Sequence, residues 1–181
     1  MIRQNAAMKS SRPRPDEYDV AFERYVSRVP ETDILAALER QPAELAATLA
    51  SVPAEREEYR YAPGKWTIRD VVGHILDAER VFGYRALCVA RGDKASLPGF
   101  EENDYAANAG SDRRTLASFA AEFTSLRASH VLMLQHVDDA GWVRVGTANA
   151  LPVTPRSLAY ILVGHVRHHV AVLREKYGVG A

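Results

Sequence analysis

The sequence lacks the features that mark several large classes of protein. It has one cysteine, Cys88, among 181 residues, so no disulfide can form within the chain and a reducing compartment is indicated. Lysine plus arginine and aspartate plus glutamate each total 23, so no net charge draws the chain to nucleic acid or to an anionic membrane. No apolar run reaches the length of a transmembrane helix. We therefore expect a globular protein that binds neither nucleic acid nor membrane.

The first fifteen residues are short of apolar side chains as well. Because residues 1–15 contain no apolar stretch, they do not resemble a signal peptide, and we expect a cytoplasmic protein. The same composition offers almost nothing to bury, which predicts a disordered tail. We place a single domain over residues 16–178 and expect it to begin with a short amphipathic arm that carries Tyr18 and Tyr25.

Two helices are predicted in the first half of the domain from apolar residues at helical spacing. The first should begin after Thr32 or Asp33, and Pro42 predicts either a kink or two abutting segments. The second has the clearest start in the sequence, because Thr67 followed by Asp70 has the spacing of a capping box.

A third helix is predicted after a long connection over residues 93–111. It should begin near Ser111 or Asp112 and end before a second loop over residues 139–153, in which the segment around Trp142 is expected to form a short strand. A connection of this length is longer than antiparallel neighbours need, so it permits a crossover.

The fourth predicted helix opens with Thr154 as its cap and Pro155 at the first helical position, and it stops at Gly178. Four helices without a convincing run of strands predict an all-α protein. We therefore expect a four-helix bundle with a short N-terminal arm.

Two histidines of the fourth predicted helix have the spacing of a metal site. His165 and His169 are four residues apart, so they share one helix face with Cβ atoms about 6 Å apart. Two imidazoles there can converge on one ion at about 2.1 Å each. Both lie on the apolar stripe of the helix, where burying imidazoles without partners is costly. The pair therefore predicts a metal ion inside the bundle.

The third ligand is less well determined by spacing. His74, on the second predicted helix, and His130, on the third, both lie on apolar stripes and are rival candidates. His168 forms a competing pair with His165, whereas His136 falls off the stripe and is expected to be exposed. A lone histidine on an apolar face is more often a hydrogen-bonded core residue than a ligand, and we interpret His130 in that way.

Several motifs occur together in an order that resembles the DinB/YfiT-like superfamily of metal-dependent enzymes. The resemblance covers roughly residues 18–178 and is specific as a set. Its motifs are YAPGK at 61–65, WTIRDVVGHILDAER at 66–80, RGD at 91–93, PGFEENDY at 98–105, GTAN at 146–149 and GHVRHH at 164–169.

The resemblance implies a four-helix bundle with up-down-down-up topology and one divalent metal ion. Carried over position by position, the ligands are His74, His165 and His169. Members are often homodimers, and some transfer low-molecular-weight thiols. The motifs also suggest that loop residues Asp104, Tyr105 and Asn149 approach the mouth of the site.

Two carboxylates near His74 are weak candidates for a catalytic role. Asp77 follows His74 by three residues and can lie beside the metal as a base or a supporting partner. Glu79 falls on the apolar stripe, where it either pairs with Arg85 or Arg127 or lines the site. For both we favour the structural interpretation, because structural ion pairs also occur at such positions. Cys88 lies in a hydrophobic stretch and is a poor nucleophile.

Three neutral imidazoles leave open coordination positions, which is typical of catalytic rather than structural sites. Imidazole suits zinc, nickel and iron alike, so the identity of the metal stays open. Such an ion can activate water or bind a thiol as thiolate. We predict a metal-dependent hydrolase or transferase of a small molecule, with a low-molecular-weight thiol as one candidate cosubstrate. The alternatives are a non-catalytic metal-binding or stress-related helical protein and a metal-free interaction module.

Overall fold

The computed structural model describes residues 11–180 and confirms the predicted four-helix bundle. Its helices are α1 Glu23–Val26, α2 Ile34–Ala50, α3 Ile68–Ala90, α4 Glu102–Asn108, α5 Leu116–Gln135, α6 Asp139–Trp142 and α7 Pro155–Tyr177. Its strands are β1 Ser96–Leu97, β2 Gly146–Ala148 and β3 Leu151–Val153. The long helices α2, α3, α5 and α7 form the bundle.

The predicted helix starts follow from side-chain caps. At α3, the Asp70 backbone N–H donates to Thr67 Oγ1 at 3.0 Å and the Thr67 N–H donates to Asp70 Oδ2 at 2.9 Å, which confirms the capping box. Helix α2 begins after Asp33, whose side chain accepts from the third helical N–H. Helix α7 begins after Thr154 and ends at Gly178, which has the left-handed φ of 65° that glycine tolerates.

Of the two alternatives predicted at Pro42, two abutting segments do not occur, because α2 is one continuous helix with buried apolar residues on both sides of the proline. The kink remains a prediction. Two other details of the predicted secondary structure were wrong. Helix α5 begins at Leu116 rather than at Ser111, because residues 111–113 form a separate 3-10 turn and Thr115 caps the helix. Trp142 ends the short helix α6 and is fully buried, so it is not part of a strand.

The direction of α3 relative to α5 explains the long connection between them. A Cβ on Gly73 would lie 3.8 Å from the Phe119 ring, and one on Gly83 would overlap the His130 ring. The N-terminal part of α3 thus contacts the N-terminal part of α5, and the later residues of the two helices contact each other as well. The two helices are therefore parallel. Parallel neighbours require a crossover, which the connection supplies.

The remaining helix pairs complete the up-down-down-up topology. Each of α2 and α3 packs against both α5 and α7. Gln135 donates to Glu39 and Arg127 donates to Gln41, so α2 and α5 are antiparallel. Helices α3 and α7 are also antiparallel, since Tyr177 at the end of α7 donates to the Trp66 carbonyl at the start of α3.

A small sheet holds the crossover against the end of the bundle. Strand β1 runs parallel to β2, and β2 pairs with β3 in an antiparallel hairpin. The hairpin turns at Asn149 and Ala150, which have positive φ values of 52° and 60°. The Asn149 N–H donates to the Leu97 carbonyl at 2.9 Å. This contact holds the segment that follows β1 in place above α3.

A buried polar network joins all four long helices. The Arg127 guanidinium donates to both carboxylate oxygens of Glu79 at 2.7 Å, to Gln41 Oε1 at 2.8 Å and to the Leu162 carbonyl at 3.4 Å. Gln41 in turn donates to the Val163 carbonyl at 2.9 Å. Burial alone raises the pKa of Glu79, but Arg127 and His130 together outweigh it and hold that pKa below its usual value.

The predicted tail over residues 1–15 lies largely outside the described residues. Within the described part, Arg12 donates to the carbonyls of Val26 and Val29, beside α1. The tail and the domain boundary at residue 16 remain predictions. Among residues 11–180, no helix combines the length and apolar character needed to cross a membrane.

Candidate metal centre

Three histidines converge where the antiparallel helices α3 and α7 meet. His74 lies on α3, and His165 and His169 lie one turn apart on α7. One nitrogen from each lies within 4.8 Å of the other two, and the Nε2 atoms of His74 and His165 are 3.1 Å apart. The structure therefore brings together the three histidines that the sequence predicted.

The cluster has the chemistry of a metal site. Three nitrogens bound to one tetrahedral ion at about 2.1 Å would be about 3.4 Å apart, close to the 3.1 Å between the Nε2 atoms of His74 and His165. The Nε2 atoms of His74 and His165 face each other, and neither has another hydrogen-bond partner among the described residues. Buried polar atoms are normally satisfied, so the residues fit a bound ion that gives the imidazoles a common partner.

The protonation state of the histidines suits metal binding. Burial, together with the charge of neighbouring histidines, lowers the pKa of His74 to about 4 and that of His169 to about 2. Burial lowers the pKa of His165 well below its usual value as well. All three imidazoles are therefore neutral at pH 7, which is the form that donates an electron pair to a metal.

The N-terminal arm forms one wall of the site. The Tyr25 ring packs edge-on against His165 and His168 at centroid distances of 5.2 and 5.4 Å. This contact depends on Gly164, because a Cβ there would lie 2.1 Å from the Tyr25 carbonyl oxygen. The sequence analysis missed this pairing, although a glycine inside a helix next to a candidate ligand is a signal of close backbone approach.

Two further aromatic rings pack against the cluster. The Trp66 ring lies 5.0 Å from His74, and the Phe82 ring lies 5.6 Å from His165. His74 and His165 are 5% and 3% exposed, whereas His169 is partly exposed. The site is therefore shielded by aromatic side chains and reaches solvent on the side of His169.

The other three histidines lie outside the cluster. His130, the rival third ligand, places Nδ1 2.8 Å from Glu79 Oε1 and so belongs to the buried polar network. His136 is exposed, with Nδ1 near the Leu132 carbonyl. His168 is half-buried beside Tyr25, and although its ring packs 5.0 Å from that of His169, it is not one of the three residues whose nitrogens converge.

The two candidate carboxylates have different environments. Both oxygens of Glu79 are bound by Arg127, which agrees with the structural interpretation. Asp77 is half-buried and lines a neighbouring cavity, and burial raises the pKa of its carboxyl. A catalytic role for Asp77 remains a prediction.

The loop residues suggested by the family motifs also lie apart from the histidines. Tyr105 lines the same cavity as Asp77. Asn149 supports the segment after β1, and Asp104 uses its carbonyl to accept from Asn108 within α4. Cys88 is half-buried in the core.

Comparison with protein families identifies the chain. The model of the DinB superfamily matches residues 37–173, which include the four long helices almost completely. The chain belongs to the DinB superfamily. The family assignment predicted from the motifs is thus confirmed.

Two relatives of this DinB-superfamily chain carry informative descriptions. A protein of Geobacillus thermodenitrificans (strain NG80-2) named "Putative metal-dependent hydrolase" is 26% identical over 141 residues, which cover 76% of this chain and 78% of that protein. YfiT from Bacillus subtilis, described as "a probable metal-dependent hydrolase with an unusual four-helix bundle topology", superposes with a TM-score of 0.72 at 18% identity. That match covers 93% of this chain and 94% of YfiT and establishes the shared fold.

Proposed function

We propose that this protein is a metal-dependent hydrolase of a small molecule, with one divalent ion held by His74, His165 and His169. The observation that carries the proposal is the convergence of three neutral, shielded imidazoles from two helices within 4.8 Å. The names of the relatives support the same reaction class. The homodimer and the cytoplasmic location remain predictions.

The residues of the site divide into ligands and walls. Three protein ligands leave room for water or substrate at the ion, as in catalytic zinc sites. When bound there, a divalent ion lowers the pKa of water towards about 7 and deprotonates thiols. Trp66, Phe82 and Tyr25 fix the imidazole rings by packing against them and limit the access of water to the buried side of the cluster.

Metal affinity tests the ligand assignment. We expect the purified protein to bind one zinc, nickel or iron ion per chain in a competition titration with a chromophoric chelator. His74→Ala, His165→Ala and His169→Ala should each weaken binding at least about 100-fold, because each removes one of three ligands. His136→Ala is the matched control, since His136 is exposed and outside the cluster. Equal metal affinity in all four variants would remove the basis of the proposal.

Turnover tests the reaction class. The metal-loaded and chelated proteins are compared on a panel of small esters, amides and lactones, with and without a low-molecular-weight thiol. We expect hydrolysis by the loaded protein that His165→Ala abolishes. Product formation only in the presence of thiol would favour the transferase, and metal binding without any turnover would favour the non-catalytic alternative.

A further inference from the structure

Arg85 is a buried cation without an acidic partner. It lies on α3 about three turns after His74 on the same face, and it is 4% exposed. Within the described residues its one hydrogen bond runs from Nη2 to the Pro98 carbonyl at 2.7 Å. The guanidinium also lies over the Phe82 ring, 5.7 Å from its centre. Four of its five N–H groups therefore have no acceptor among the described residues.

The other buried arginines of the protein show how unusual this is. Arg127 is paired with Glu79, and Arg156 is paired with Glu17. Burying a charge is costly unless it is paired, and fully buried arginines are rare without a partner. Burial lowers the pKa of Arg85, and no described carboxylate acts against that shift. A buried arginine without a carboxylate partner is expected where a bound ligand supplies the negative charge.

Arg85 lines a cavity of about 360 Å³ between α3 and the crossover. Apolar and aromatic side chains form most of its wall, including Val81, Phe100 and Tyr105. A cavity of this size, apolar with few polar groups, is typical of small-molecule sites. Its second arginine, Arg80, is exposed and already bound to Glu122.

The cavity adjoins the histidine cluster through one side chain. Phe82 contacts Arg85 on one side and His165 on the other, at a ring distance of 5.6 Å. The same face of α3 carries His74, Asp77 and Val81, so it runs from the cluster into the cavity. A small molecule that reaches the Asp77 end of the cavity would therefore lie about one turn of α3 from His74.

We propose that Arg85 binds the carboxylate of a small anionic molecule whose apolar or aromatic body fills this cavity. A planar guanidinium matches a carboxylate through two parallel hydrogen bonds. A cavity lined by one unpaired cation and, about two turns away on α3, by the Asp77 carboxylate suits a monoanion better than a phosphate dianion. The identification of this molecule as the substrate rests on the proposed function, whereas the binding site itself does not.

Benzoate is the probe, and benzamide is its neutral counterpart of the same shape. Binding is measured by calorimetry and by the rise in melting temperature of the full chain, after chelation of metal and in the His165→Ala background. These conditions remove direct binding of carboxylate to a metal ion. We expect saturable binding of benzoate and none of benzamide.

Variants assign the binding to the buried arginine. Arg85→Met should weaken benzoate binding at least about tenfold, the effect of losing a charge-assisted contact. Arg80→Met, the matched control in the same cavity, should change it less than about twofold because Arg80 is exposed and paired. Arg85→Met should also melt no lower than the wild type, since it removes an unpaired buried charge.

Three results would overturn the proposal. They are equal binding of benzoate and benzamide, unchanged benzoate binding by Arg85→Met, and a loss of melting temperature in Arg85→Met as large as in Arg127→Met. Arg85→Gln, which removes the charge while keeping two donors, should weaken benzoate binding to a similar extent, and unchanged binding by this variant would overturn the proposal as well. Because benzoate binding is measured in metal-free protein, it can be interpreted even if the metal titration shows no binding of an ion.

Discussion

Replacement of Arg127 by methionine should destabilise the protein severely. The change keeps an unbranched apolar stem but removes the guanidinium that binds Glu79, Gln41 and the Leu162 carbonyl. Glu79 is 2% exposed, so its carboxylate would be left buried without its cationic partner. Breaking a buried ion pair from one side costs about 3–5 kcal/mol, whereas a whole domain is stable by only about 5–15 kcal/mol.

Urea denaturation followed by circular dichroism measures this loss as a fall in the free energy of unfolding. The double variant Arg127→Met with Glu79→Leu should be more stable than Arg127→Met alone, because no buried charge is then left unpaired. Arg80→Met is the control, and it should cost no more than about 1 kcal/mol because its ion pair is exposed. Equal costs for the two arginines, or a double variant less stable than the single one, would refute the reasoning.

The pH dependence of Arg127→Met has a definite sign. In the wild type, the pKa of Glu79 is held below its usual value. Its ionisation therefore stabilises the folded protein at pH values above the pKa of the unfolded chain. This stabilisation is lost as the pH falls through the pKa of the folded protein. Without Arg127, burial is unopposed by the guanidinium and raises the pKa of Glu79. The variant should therefore regain stability relative to the wild type as the pH falls. A constant difference between the two proteins across pH 4–7 would contradict this account.

Three further predictions concern the arm, the histidines and a helix cap. Gly164→Ala should cost about 1–3 kcal/mol in urea denaturation, because its Cβ would overlap the Tyr25 carbonyl. The metal-free protein should lose stability as the pH falls from 6.5 to about 4, because His74 is protonated more readily in the unfolded chain. His74→Gln should make the free energy of unfolding depend less steeply on pH over this range. Thr67→Ala should cost about 1 kcal/mol through loss of the cap on α3, while Thr67→Ser, which retains the hydroxyl that accepts from Asp70, should be nearly neutral.

Local sequence patterns determined the main helices and two of the three clustered histidines. Capping depends on side chains within three residues of each other, so Thr67 and Thr154 predicted the starts of α3 and α7 correctly. The pair His165 and His169 could be found because residues four apart in a helix face the same way. Where local rules compete, prediction failed, as at the start of α5, where Ser111 and Thr115 both offer a cap.

The choice between His74 and His130 could not be made from spacing alone, because both lie on apolar stripes. The family motifs favoured His74, and the packing of α3 against α7 brings it to the other two histidines while the buried ion pair occupies His130. The partner of Glu79 was open for the same reason, because spacing alone could not decide between Arg85 on the same helix and Arg127 on another. Only the arrangement of helices shows that Arg127 neutralises Glu79 and leaves Arg85 unpaired at a cavity. The sequence thus determines which side chains each helix face carries. Long-range packing decides which charged groups meet, because such contacts depend on the register and direction of helices that are far apart in the chain.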